Sequence, residues 1–246
     1  SVAATFSAQD RLRAAPPMLR AWRSDVHTTR PDHLTFTVET QVGDWFVAPH
    51  KIDLEFQRHR LGRVVAFVGP NGSGKTQLLA RIASGVHGFD REGVKVTPRP
   101  EGPVLALSYS AFDEFRRPVE TKRDKYRYWG LRRPRGELDL TQLRHRIAIT
   151  LGELTSQQRE RLARAVVDSR LAACDARSEA IARNSADFGA FQSMSAGCQI
   201  AFMALCALVV DVKPDTLVLF DEPEVHLHPE LLSGVMRVLH ELLHER

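Results

Sequence analysis

The chain has 246 residues, of which 43% are hydrophobic and 26% charged, and a formal net charge of +4. That balance is ordinary for a soluble globular protein, with room for one large α/β domain or one domain plus a helical insertion, and the charge permits contact with nucleic acid without arguing for it. The longest apolar run, residues 200–210, is too short to span a bilayer and residues 1–10 carry no signal-peptide pattern, so the chain reads as cytoplasmic and not membrane-embedded.

Residues 1–30 contain Pro16-Pro17 and scattered arginines, and are expected to form a short helix or a loosely attached arm. At 34–40 apolar and polar residues alternate, which predicts a half-buried strand. Residues 45–56 are strand-like but less regular, and the two predicted strands are expected to form an antiparallel flank.

Residues 64–68 (Val-Val-Ala-Phe-Val) are a short apolar run, predicted as a strand. Gly69-Pro70-Asn71-Gly72-Ser73-Gly74-Lys75-Thr76 follows, a complete G-x-x-x-x-G-K-[ST] phosphate-binding loop, and 77–82 has helical character. The glycines let backbone N–H groups wrap around phosphates, and the following helix adds the positive end of its dipole. Lys75 is expected to reach the β- and γ-phosphates and the Thr76 hydroxyl to ligate Mg²⁺, with Gly69, Asn71, Gly72, Ser73, Gly74 and Gln77 completing the ATP contacts.

Residues 85–102 read as loop, with a short strand at 94–97, and 103–110 as a core strand. Residues 116–135 are the most basic block, with Tyr126, Tyr128 and Trp129 interleaved. Three readings stay open for it: contact with nucleic acid, contact with a protein partner, and a solvated arm packed by its own aromatics. From about 138 to 191 apolar residues recur at helical spacing, and 195–210 is a strongly apolar helix. Cys174, Cys198 and Cys206 fit no zinc or redox spacing and read as reduced thiols.

Residues 216–224 read Thr-Leu-Val-Leu-Phe-Asp-Glu-Pro-Glu. The apolar part suits a strand buried on both faces of a parallel sheet, and it ends in carboxylates at the sheet edge where open α/β folds bind ligands. Asp221 is expected to hold Mg²⁺ directly or through water, and Glu222 to polarise a water for in-line attack on the γ-phosphate. A final amphipathic helix is predicted at 229–244.

Ser193-Met194-Ser195-Ala196-Gly197-Cys198-Gln199 resembles the signature motif of ATP-binding-cassette (ABC) ATPases, and with the phosphate loop and Asp221-Glu222 it stands in that family's order. The tail from Asp221 to Pro229 resembles the Asp-Glu-Pro-Glu-x-x-Leu-His-Pro pattern of soluble members: RecF- and SMC-like proteins, OLD-type ATPases, and ATPases of anti-phage systems such as the Septu type. The segment 107–113, with Tyr126, Tyr128, Gly130 and Leu131 beyond it, is similar to the defence-type group.

The resemblance implies an α/β P-loop NTPase of ABC type, a mixed sheet with an antiparallel flank and an inserted helical subdomain. On that plan 1–30 is an arm, 31–115 and 212–246 form the ATP-binding core, and 116–211 hold the basic segment and the helices. It also implies an ATP-dependent dimer in which Ser195 and the Gly197 N–H of one protomer complete the γ-phosphate site of the other, with 226–228 crossing to the partner. Trp45 and Phe46 stand where many cassettes stack adenine, core packing being the other reading. His226 and His228 resemble a metal pair only superficially.

Three departures stand out. Ala196 and Cys198 replace the usual glycines of the signature. No glutamine follows 103–110 at the position that senses Mg²⁺, leaving Ser110 or Asp113 to substitute. A strand ending in a switch histidine normally follows the last helix and is absent here, which implies a fragment or an incomplete head. The function expected is a slow Mg-ATPase that dimerises on ATP and holds or gates an effector such as a nuclease in bacterial anti-phage defence. The alternatives are a DNA repair or recombination ATPase of RecF/SMC type, an ATP-gated scaffold with little hydrolysis, and a transporter subunit.

Overall fold

In the computed structural model, the described residues are 33–41, 50–57, 63–88, 93–110, 113–115, 125–131, 140–184 and 188–244, with no account of side chains at 140–143 and 244. The expected arm at 1–30, the adenine candidates Trp45 and Phe46, and the basic residues at 116–124 and 132–135 lie outside them.

Alternation at the start of the described chain produces the strand it predicts. β1 (His33–Thr40) pairs antiparallel with β2 (His50–Gln57) on one side and β3 (Val94–Thr97) on the other. Its period of two turns Phe36 and Val38 into the core, where they meet Leu54 and Val96.

The parallel sheet is built around β4 (Val104–Ser108), flanked by β5 (Tyr126–Gly130) and β6 (Leu217–Asp221). Every residue of β4 is buried, as a central strand covered on both faces requires. Val104 and Ala106 face the antiparallel sheet and α1 (Lys75–His87), whereas Leu105 and Leu107 face a helical layer.

That layer comprises α2 (Leu140–Glu153), α3 (Ser156–Asp168), α4 (Leu171–Cys174), α5 (Arg177–Arg183), α6 (Phe188–Phe191) and α7 (Ala196–Asp211). Predicted as one helical block, 138–191 divides at capped breaks. Thr155 starts α3 with a reciprocal capping box to Gln158, and left-handed Arg170 (φ 63°) starts α4. α7 is apolar on nearly every face and buried among its neighbours. After β6 come the single turn α8 (Pro223–His226) and α9 (Pro229–His244). Gly234 lets α9 close on the end of α3, since a Cβ there would lie 2.0 Å from the Ser169 carbonyl oxygen.

The structure corrects the sequence reading in three places. Among the described residues the strands form two separately hydrogen-bonded sheets, β2-β1-β3 and β5-β4-β6, rather than one mixed sheet. The run 64–68 is not a strand: Val64, Val65 and Val68 are exposed, and none of the described strands pairs with it. An apolar run becomes a strand only where a neighbour satisfies its N–H and C=O groups. The aromatics of the basic block are core residues of β5, with Tyr126, Tyr128 and Trp129 all buried, so they are not a stacking surface for bases. The tapering of that block into β5 also gives the parallel sheet a strand from the segment grouped with the helices.

Candidate functional site

The phosphate loop turns at Gly72 (φ 79°) and Gly74 (φ 85°), in the left-handed region that costs glycine little. Gly74 is the N-cap of α1, and no side chain caps it. The first-turn N–H groups therefore point out of the helix end together with its positive dipole, an arrangement that receives phosphate oxygens. Lys75 folds back over the loop, its Nζ donating to the carbonyl oxygens of Gly69 at 2.9 Å and Pro70 at 3.1 Å.

The carboxylate pair arrives from the other side of the chain. Parallel register sets Asp221 beside Ser108 at the ends of β6 and β4. Thr76 Oγ1 donates to Asp221 Oδ1 at 3.0 Å, and Ser108 Oγ donates to Asp221 Oδ2 at 3.2 Å. Burial pushes the Asp221 carboxyl above the ordinary carboxylate range. The two hydroxyl donors oppose that shift, and the nearby carboxylates of Glu222 and Asp113 add to it.

A hydroxyl and a carboxylate facing each other are the hard oxygen donors that Mg²⁺ prefers. Among the described residues no group of three or more His, Cys, Asp or Glu side chains gathers to hold a metal.

Glu222 follows Asp221 in the left-handed region at φ 44°, ψ 46°, where a non-glycine residue is strained. It is the N-cap of α8, and the turn aims the chain away from the strand axis. Gln77 Nε2 donates to Glu114 Oε1 at 2.9 Å, tying α1 to the segment that follows β4. Asp113, one of the two expected Mg²⁺-sensing substitutes, is turned inward. Its carboxylate accepts from Tyr128 Oη at 2.7 Å and from the Phe115 N–H at 3.1 Å.

Ser195 and Gly197 stand at the start of α7. Ser195 is its N-cap, with Oγ accepting from the Cys198 N–H at 3.3 Å. A Cβ on Gly197 would lie 3.1 Å from the His226 carbonyl oxygen, so the start of α7 packs on α8. No hydrogen bond joins Ser195 or Gly197 to the phosphate loop. Cys198 is buried in the helical core, as is Leu227 of the expected crossing segment.

The structure thus brings Thr76 and Asp221 into direct contact, with Lys75 and Glu222 as their chain neighbours. Sequence reasoning missed Ser108 and Tyr128. The strand prediction at 103–110 held the signal for Ser108, because a strand parallel to β6 ends beside Asp221. The alternation Tyr126-Arg127-Tyr128 held the one for Tyr128.

Residues 97–246 match the family model described as "AAA domain, putative AbiEii toxin, Type IV TA system". The chain is 29% identical to Protein ea59 of Escherichia phage lambda, over 74% of this chain and 43% of that protein, so it spans less than half the length of this relative. No solved structure matches. Among the described residues no helix is long and apolar enough to cross a membrane. The family match covers more than half of the chain and includes the carboxylate-tipped strand that meets the phosphate loop: the chain belongs to this AAA-domain family of P-loop ATPases.

Proposed function

We propose that this protein is an ABC-type ATPase that binds and hydrolyses Mg-ATP, dimerises on ATP and controls an effector in bacterial anti-phage defence. The contact between Thr76 and Asp221 at the mouth of the phosphate loop carries the reading. Lys75 exchanges the Gly69 and Pro70 carbonyls for β- and γ-phosphate oxygens. Thr76 and Asp221 would hold Mg²⁺, which would supply neutralising positive charge for the triphosphate. Glu222 accepts the proton of the attacking water as its oxygen bonds to the γ-phosphorus and the bond to ADP breaks.

The start of α7 supports the dimer reading. The Ser195 hydroxyl accepts from Cys198, which leaves its proton for a phosphate oxygen, and the start of α7 is a helix N-terminus. Ser195 and the Gly197 N–H would complete the γ-phosphate site of a second copy. A defence setting goes with the toxin–antitoxin description of the family; a nuclease-like effector and a cytoplasmic setting complete the proposal. The buried aromatics of β5 weigh against a DNA repair role for that strand. Ala196 and Cys198 favour, as a second reading, a scaffold that binds ATP with little turnover.

The test is ATP turnover and native mass of the protein and of Glu222→Gln, each with Mg-ATP. The variant is expected to bind ATP, lose turnover and accumulate as a dimer. Turnover unchanged in the variant overturns the assignment.

A further inference from the structure

The Thr76–Asp221 contact lies at the C-terminal ends of the parallel strands, and the opposite ends hold a second concavity. A cavity of about 660 Å³ opens where the end of α1, the turn between β3 and β4 and the starts of β4 and β5 meet. Val86 and Val104 form an apolar part of its wall, and His87, Arg99, Glu101 and Lys125 a polar part. Sites for small organic ligands run to roughly 300–1,000 Å³, so the cavity suits such a molecule.

The wall is set by the chain itself. Arg99 stands between Pro98 and Pro100, whose rings restrict the backbone that carries it. Its guanidinium lies against the end of α1, where a Cβ on Gly88 would be 2.7 Å from Nη1. Gly102 lets the same turn close on Asp215, since a Cβ there would lie 1.8 Å from the Asp215 carbonyl oxygen. Lys125 Nζ donates to the Glu101 carbonyl oxygen at 2.9 Å, which holds the ammonium against the turn. The Lys125 carbonyl oxygen accepts from the Val104 N–H at 2.7 Å and ties the rim to β4. The His87 ring is placed 5.6 Å from that of buried Tyr126.

Two cations from different elements thus share the cavity with one carboxylate. A guanidinium has five N–H donors and an ammonium three, so each keeps its protein contacts and still donates to an oxyanion. A phosphomonoester offers three terminal oxygens and close to two negative charges, and the planar fork of an arginine matches its geometry. We propose that this cavity binds a small phosphomonoester, with the phosphate held by Arg99 and Lys125 and the organic part against Val86, Val104 and His87. The site is separate from the phosphate loop and does not rest on the ATP reading.

Isothermal titration with ribose 5-phosphate, with ribose as the uncharged control, tests this. The protein is expected to bind ribose 5-phosphate and not ribose. Lys75→Ala, at the phosphate loop, is expected to keep that affinity within about twofold, because distant sites act independently. Lys125→Ala and Arg99→Ala each remove charge-assisted hydrogen bonds and are expected to weaken binding about tenfold. Glu101→Gln removes the competing carboxylate and is expected to strengthen binding, a gain that a merely structural role would not give. No binding by the unsubstituted protein overturns the proposal, as does binding that Lys75→Ala abolishes and Lys125→Ala leaves unchanged. If Arg99→Ala fails to fold by circular dichroism, Lys125→Ala decides: a tenfold loss supports the proposal and an unchanged affinity overturns it. A thymidine oligonucleotide that binds more tightly than ribose 5-phosphate and is lost in Lys125→Ala assigns the cavity to a nucleic acid backbone and overturns it too.

Discussion

Thr76 Oγ1 and Asp221 Oδ1 are hydrogen-bonded at 3.0 Å although 145 residues separate them in the chain. The contact joins the first turn of α1 to the tip of β6, where the proposal places a nucleotide-bound cation. Asp221 carries a cost in the nucleotide-free protein. Its carboxyl is pushed up by burial, so its contribution to stability is present below the unfolded-state value and is lost as pH rises through the folded value. At pH 7, Asp221→Asn is therefore expected to raise the melting temperature of the nucleotide-free protein and to abolish further stabilisation by Mg-ATP. Thermal melts with and without Mg-ATP check both halves, and a lower melting temperature without nucleotide contradicts the sign.

Ser108 supports the same carboxylate from the neighbouring strand. Outer partners of a metal ligand typically affect metal affinity by about 10–100-fold. Ser108→Ala is expected to weaken Mg²⁺-dependent nucleotide binding by about tenfold while leaving metal-free binding close to its starting value. Isothermal titration in Mg²⁺ and in EDTA measures this.

Glu222, the proposed base, has a strained backbone at φ 44°. Glu222→Gln should lower kcat by about 10²–10⁴-fold with ATP binding retained. Glu222→Gly should be equally inactive yet no less stable, because relief of about 1–2 kcal/mol of left-handed strain offsets the flexibility glycine adds to the unfolded chain. Turnover assays paired with urea unfolding separate the two effects, and a marked loss of stability in Glu222→Gly would contradict the strain argument.

Trp129 tests the core reading of the β5 aromatics. Its Nε1 donates to Asp211 Oδ2 at 2.6 Å, Arg146 lies 4.3 Å from the ring centroid, and the residue is 1% exposed. Trp129→Phe removes the donor and is expected to cost about 1–3 kcal/mol of unfolding free energy. Nucleic acid binding, if measured by fluorescence anisotropy, should be unchanged. A loss of such binding without a loss of stability would restore the base-stacking role.

Asp175 supplies the pH dependence on the helical side. Hydrogen bonds from Arg177 hold its carboxyl below the ordinary range despite burial. A depressed carboxylate contributes stability above its unfolded-state value and loses it as pH falls through the folded one. Asp175→Asn should therefore be less stable than the parent at pH 7, with the gap closing under acid conditions below the ordinary carboxylate value. Denaturant melts across pH detect this, and a gap that widens on acidification contradicts it.

Much of the local structure was legible in the residues. The loop 69–76 announces its turn through glycines that must adopt positive φ, and it does so at Gly72 and Gly74. The final helix, expected at 229–244, occurs as Pro229–His244, because proline starts it and a 3.6-residue apolar stripe runs its length. Strand β6 was expected from its continuous apolar run and its carboxylate end.

What only the tertiary structure decided is partnership. Residues 64–68 have the composition of a strand and none of its pairing, whereas 126–130 hide a buried strand inside a basic block. Whether an apolar segment becomes a strand depends on a neighbouring backbone edge, and no spacing within the segment encodes that edge. The same holds for the site. Lys75, Thr76, Asp221 and Glu222 are legible in their motifs, but Ser108 meets Asp221 only through the parallel register of β4 and β6, and Tyr128 meets Asp113 only through β5 and the turn after β4.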